Sequence, residues 1–144
     1  MTSWLNIHNP TPISDPPENF NKLYLQDINH NRIAQIFIGD IVFIYETAGP
    51  RSVVIDKQRI ILRPGRKGLI AAVRVSSSFQ RHSWDYDVNK FIGEYDTEPI
   101  RISRQSVPLQ EIKSKLPRFN PLINGGLLDL SSHEASILQQ LFGF

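Results

Sequence analysis

Apolar positions along this chain fall into short runs with the composition and period of strands, separated by turn residues. In Ile38-Gly39-Asp40-Ile41-Val42-Phe43-Ile44-Tyr45 a Gly-Asp turn signal opens a buried strand. Gly68-Leu69-Ile70-Ala71-Ala72-Val73-Arg74-Val75 repeats the pattern, and the two runs predict a sheet centre. Ser3 to His8 predicts an opening strand, stopped by Asn9-Pro10. Pro10, Pro12, Pro16 and Pro17 then make an irregular surface crossing. Asp15-Pro16-Pro17-Glu18 predicts a short helix ending near Tyr24. Ile33, Ile36 and Phe37 predict one or two helical turns within 29–37. Val53-Val54-Ile55 and Ile60-Ile61-Leu62 read as a hairpin around a polar, basic turn. Residues 76–90 read as a long loop, and Phe91 to Ser103 as further strand with an interruption at Glu98-Pro99. Pro108 suits the first turn of a helix that Pro117 ends. A capping box from Ser131 to Glu134 opens a last helix, which Gly143 closes. The order predicts an α+β domain whose strands curl into a barrel.

Composition narrows the class. A chain of 144 residues suits one domain, 1–144, and 40% hydrophobic with 21% charged residues is ordinary for a globular protein. No apolar run approaches the roughly 18–20 residues that cross a bilayer. No basic segment followed by an apolar core opens the chain, so no secretory signal is expected. With no cysteine there is no disulfide and no thiolate metal site, which fits a cytoplasmic protein.

The formal charge is only +2, but its distribution is uneven. Arg51, Lys57, Arg59, Arg63, Arg66, Lys67 and Arg74 stand against Asp56 alone between positions 51 and 74. A concentrated patch steers anions better than the same charge spread evenly, so Arg51, Lys57, Arg59, Arg63, Arg66 and Lys67 are the phosphate-binding candidates. A solvated hairpin is the plainer reading of the same run.

Catalytic patterns are scarce. His8, His30, His82 and His133 are scattered without metal-ligand spacing. Asp85 and Asp87 flank Tyr86 with no third ligand in sight, which favours a turn over a Mg²⁺ site. Arg63-Pro64-Gly65-Arg66-Lys67-Gly68 lacks the order of a phosphate-cradling loop, and no Gly-x-Ser-x-Gly elbow occurs. No catalytic residue, cofactor or metal is expected.

Three stretches carry a resemblance. They are Trp4-Leu5-Asn6-Ile7-His8-Asn9-Pro10; the Gly39-Asp40 strand with the Gly68–Val75 strand after it; and Val107-Pro108-Leu109 through Ile112 with Leu130-Ser131 and the final helix. In order and spacing they resemble the EVE branch of the PUA-like superfamily, whose relatives include the YTH and ASCH domains. The resemblance implies a PUA-like small mixed β-barrel with flanking short helices. It also implies recognition of a modified, for example methylated, flipped base in DNA or RNA, held in an aromatic pocket. Stacking a flipped base is worth roughly 1–3 kcal/mol, against a few kcal/mol to extrude it.

Family members often carry Trp-(Asp)-Gly-Val before the short helix; Leu23-Tyr24-Leu25-Gln26-Asp27 occupies that place, where either Tyr24 stands for the Trp or that wall of the pocket is missing. His30, Asn31 and Arg32 fall where the family places Asn and Arg near the pocket, and are expected to read the base edge. Trp84 and Tyr86 are the candidates for a further stacking wall, with Trp4 and Tyr45 behind them. The plainer readings are core packing for Trp4 and Tyr45 and a loop clamp for Trp84. The 51–67 stretch looks like an insertion. Two alternatives stay open. One is a non-catalytic specificity or interaction domain of a larger restriction or toxin-type system, acting with a partner protein or fused catalytic domain. The other is an RNA-cleaving enzyme of the ASCH type, using Lys, Arg and Tyr in the same cleft.

Overall fold

A computed structural model describes residues 2–26, 35–81, 91–121 and 126–144. Its centre is the pair foreseen from the apolar runs. β3 (Ile41–Glu46) is buried at all six positions, as a strand covered on both faces must be, and lies antiparallel to β6 (Gly68–Val75). β1 (Ser3–His8) runs parallel to β3 on its other side and carries the short β9 (Leu127–Leu130) at the edge. Beyond β6 comes β8 (Phe91–Pro108), which pairs with β6, with β2 (Lys22–Gln26) and with the two-residue β7 (Gln80–Arg81). The order β2-β8-β6-β3-β1-β9 makes a curled mixed sheet, a half-barrel. β8 is 18 residues long, and register shifts let it bend between its partners. Pro99, which lacks an N–H, sits at one of these irregularities.

One sheet face closes on itself. Trp4, Val42, Ile44, Ala71 and Val73 pack there with Leu23, Leu25 and Tyr95 from the far strands. The other face, with Leu5, Ile7, Phe43 and Leu69, is covered by two helices. α1 (Leu109–Lys115) contributes Ile112, and α2 (Ser132–Phe142) contributes Leu138 and Phe142. The capping box joins Ser131 and Glu134 in both directions, and Gly143 ends α2 in a left-handed conformation.

β4 (Ser52–Ile55) and β5 (Gln58–Ile61) form a separate hairpin. Its turn residues Asp56 and Lys57 both have positive φ, 48° and 64°, the geometry of a turn whose twist matches the strands it joins. The hairpin is fastened to the proline-rich segment: Ile13 N donates to Ile61 O, Arg63 N donates to Thr11 O, and Pro12 bridges Leu62.

Two expectations change. The helix foreseen between Asp15 and Tyr24 is absent, and Lys22–Gln26 is a strand because pairing with β8 buries Leu23 and Leu25 together. β7 pairs within the expected 76–90 loop, while 82–90 lies outside the described residues. β9 had no forecast. The helical turns expected within 29–37 fall largely outside the described residues.

Candidate functional site

Alternation along β1 sends Trp4, Asn6 and His8 to one face, and the two ends of that face differ. At the first end the Trp4 ring is 1% exposed and its Nε1 donates to Asp40 Oδ2 at 3.1 Å. Asp40 also accepts from Thr2 N at 3.1 Å and Phe37 N at 3.0 Å. Gly39, at φ 97°, supplies the left-handed turn that brings this carboxylate under β1. Tyr95 is pushed up to about 12, by burial first and by the Asp40 charge second.

At the second end a cavity of about 350 Å³ opens between β1, the proline-rich segment and β2. Phe20, Leu23 and Ile44 give it an apolar base, Tyr24 lines it from β2, and Asn6, His8 and Glu18 are among its polar lining. Phe20 shapes the segment: it is 3% exposed yet held at φ 59°, a conformation bulky residues avoid. Burial of the ring and a 2.7 Å hydrogen bond from Thr97 Oγ1 to Phe20 O hold it there.

His8 Nδ1 lies 2.7 Å from Asn9 O, so Nδ1 carries a proton and donates to that carbonyl. Nε2 is buried with no hydrogen-bond partner among the described residues, 3.8 Å from Glu18 Oε2, an ion-pair distance when the ring is protonated. No described residue donates a hydrogen bond to the Glu18 carboxyl, whose side chain is 28% exposed. Desolvation raises its pKa above the ordinary carboxylate value. His8 opposes that rise, Glu46 adds to it and Arg66 opposes it. Tyr24 is 40% exposed, and desolvation followed by the Glu94 charge raises its pKa. Lys22, beside it, is tied across to Glu94 and Asp96 on β8.

The structure sorts the residues singled out from sequence. Tyr24 lies at the cavity. Trp4 and Tyr45, expected as pocket walls, are corrected to core residues at 1% and 2% exposure: one packs inside the curl and the other on the helix-covered face, tilted against Phe119. His30, Asn31, Arg32, Trp84 and Tyr86 lie outside the described residues.

Among the cations, Arg51, Lys57 and Arg59 are exposed and form no ion pair with a described residue. Arg66 is corrected: its backbone N and Nε both donate to Glu46 Oε1, at 2.9 and 3.2 Å, and Nη2 reaches Oε2 at 3.4 Å. Glu46 is 6% exposed, so this guanidinium is committed to neutralising a buried carboxylate. Arg63 Nη2 donates to Asp15 O at 2.7 Å and clips the hairpin to the cavity wall. Lys67 is exposed at φ 49°. Asn6, His8 and Glu18 were not foreseen as site residues, since no local motif marks them. Among the described residues no three His, Asp or Glu side chains gather as a metal site, and no helix is long and apolar enough to cross a membrane.

No protein-family model matches the sequence, and no curated protein matches it. Solved structures do match in fold. Human THYN1, solved in complex with DNA containing 5-methylcytosine, aligns with TM-score 0.60 at 11% identity, covering 100% of this chain and 99% of that one. A Pseudomonas putida protein aligns with TM-score 0.59 at 13% identity, covering 96% and 98%. The Mmi1 YTH domain in complex with RNA aligns with TM-score 0.60 at 12% identity, covering 97% and 77%. The chain therefore has the α+β, PUA-like fold of the EVE and YTH domains, with a barrel-like sheet.

Proposed function

We propose that this PUA-like chain is a nucleic-acid-binding module that receives one extruded base in the cavity at the end of β1. The observation that carries the reading is a juxtaposition. A cavity with an apolar base, a half-exposed tyrosine and polar edge groups shares its wall segment with a hairpin bearing exposed cations. Stacking on Tyr24 takes the flat face of a base, and Arg51, Lys57 and Arg59 take backbone phosphates, which position the strand without reading it. The apolar base formed by Phe20, Leu23 and Ile44 suits a methyl or similar substituent, which supports a modified base as ligand. Solved complexes of the same fold with methylated DNA and with RNA support the same class of partner. The cysteine-free composition favours a cytoplasmic setting.

Titration of labelled single-stranded and duplex oligonucleotides, modified and plain, at two salt concentrations tests the reading. Binding is expected to weaken steeply with salt. Tyr24→Ala is expected to cost most for the oligonucleotide whose base enters the cavity, whereas Lys57→Ala lowers affinity equally for all. Salt-independent binding, or none, would remove this reading in favour of an interaction module for a protein partner.

A further inference from the structure

The cavity's polar groups narrow what base it takes. The Glu18 carboxyl lines the cavity with no hydrogen-bond donor from any described residue, and His8 Nε2 lies 3.8 Å from it, beyond hydrogen-bond distance. Desolvation already penalises the charged form of this carboxylate. A partly buried carboxylate without donors is costly, and a ligand that brings N–H groups removes that cost. The same negative charge disfavours phosphate here. The sugar–phosphate chain belongs outside, with the hairpin cations, and the base edge belongs inside.

We propose that Glu18 is the edge reader of this cavity and selects a base that presents two adjacent N–H donors, as the pairing edge of guanine does. The inference rests on the base-pocket reading above and deepens it. Guanine offers N1–H and the N2 amino group side by side, a spacing that matches the two oxygens of a carboxylate. Its O6 needs a donor, and in this proposal that part falls to the Asn6 amide. Asn6 is 6% exposed, lies two residues before His8 on the same face of β1, and lines the same cavity. Adenine and cytosine each present a ring nitrogen acceptor where guanine has N1–H, and that lone pair would meet the carboxylate's. His8 is a positioning residue: its Nε2 stands behind the Glu18 carboxyl and its Nδ1–H is anchored on Asn9 O.

Glu18 is faced by His8 from β1, Glu46 from β3, Arg66 from the loop before β6, and Tyr24 from β2. The ionised carboxylate is the form that accepts from guanine. Guanine binding is therefore expected to strengthen as pH rises through the raised Glu18 titration and to level off above it.

The test is a calorimetric titration of the intact chain with short oligonucleotides that carry a single guanine, inosine, 1-methylguanine, adenine or cytosine in a fixed flanking sequence. Guanosine monophosphate forms a separate arm that distinguishes a free nucleotide from a base in a strand. Guanine is expected to bind tightest, with 1-methylguanine and inosine weaker because each lacks one donor. Glu18→Gln is expected to remove the preference, a loss of roughly 5- to 150-fold for guanine, and to flatten the pH profile. His8→Gln, which keeps a polar group behind the carboxyl, should shift the midpoint of that profile while retaining guanine preference. Oligonucleotide binding that ignores the base, or a preference that survives Glu18→Gln, overturns this inference and leaves the base pocket standing. Absence of binding by every oligonucleotide overturns both.

Discussion

The two ends of β1 carry polar groups on one face, four residues apart, and the protein treats them oppositely. Around Trp4 the indole N–H and two backbone N–H groups all converge on Asp40, which is 3% exposed. Around His8, among the described residues, the ring Nε2 is buried without a hydrogen-bond partner and the Glu18 carboxyl 3.8 Å away accepts no hydrogen bond. Buried polar groups in a folded chain are nearly always paired, so the paired end reads as architecture and the unpaired end as a place for a ligand. Trp-Leu and Gly-Asp, which carry much of the family resemblance, belong to the architectural end.

The largest effect expected from breaking this contrast is on stability. Asp40→Ala strands three donors and should cost about 3–5 kcal/mol in chemical denaturation, since each unsatisfied buried group costs roughly 1–3 kcal/mol. A loss below about 1 kcal/mol would mean that the Trp4 end is not held by this carboxylate. Next in size, Tyr24→Ala should weaken oligonucleotide binding by about 1–3 kcal/mol while leaving the denaturation midpoint nearly unchanged.

Glu18→Gln sharpens the contrast from the other side. The folded-state pKa of Glu18 is raised, so its ionisation opposes folding. That penalty is absent below the ordinary glutamate pKa and complete once pH exceeds the raised one. The variant should therefore be as stable as the parent in acid and slightly more stable at neutral pH, by under about 1 kcal/mol because the side chain is partly solvated. Paired urea melts at acid and neutral pH measure this; destabilisation at neutral pH would make Glu18 a structural residue. The smallest effect belongs to the hairpin turn. Lys57→Gly relieves a positive φ of 64° and should add about 0.5–1 kcal/mol, with a small loss of affinity from the missing charge.

The same contrast explains how much was legible in the sequence. β1, β3, β6, the β4–β5 hairpin and α2 follow from local alternation, turn residues and a capping box, because those signals act within a few residues. β2 did not. Asp15-Pro16-Pro17-Glu18 looks like a helix start, but Leu23 opposite Tyr95 and Leu25 opposite Gly93 are decided by a strand some seventy positions away. β9 is four residues long and held by pairing with β1, so it had no local signature. Trp4 and Tyr45 were visible as strand aromatics, but which faces the curl and the helices would cover was not. Tyr24 was found through the place it takes in the family pattern. His8 and Glu18 went unnoticed, since being unpaired is a property of the assembled cavity.

The most direct test of the central claim is a nitrogen–proton NMR titration of the labelled chain with a guanine-containing single strand. Shift changes are expected at Asn6, His8, Glu18 and Tyr24 and along the Arg51–Arg59 hairpin, with Trp4 and Asp40 unmoved. Shifts concentrated at Trp4, Tyr45 or the α1–α2 face, with the His8 end silent, would contradict it.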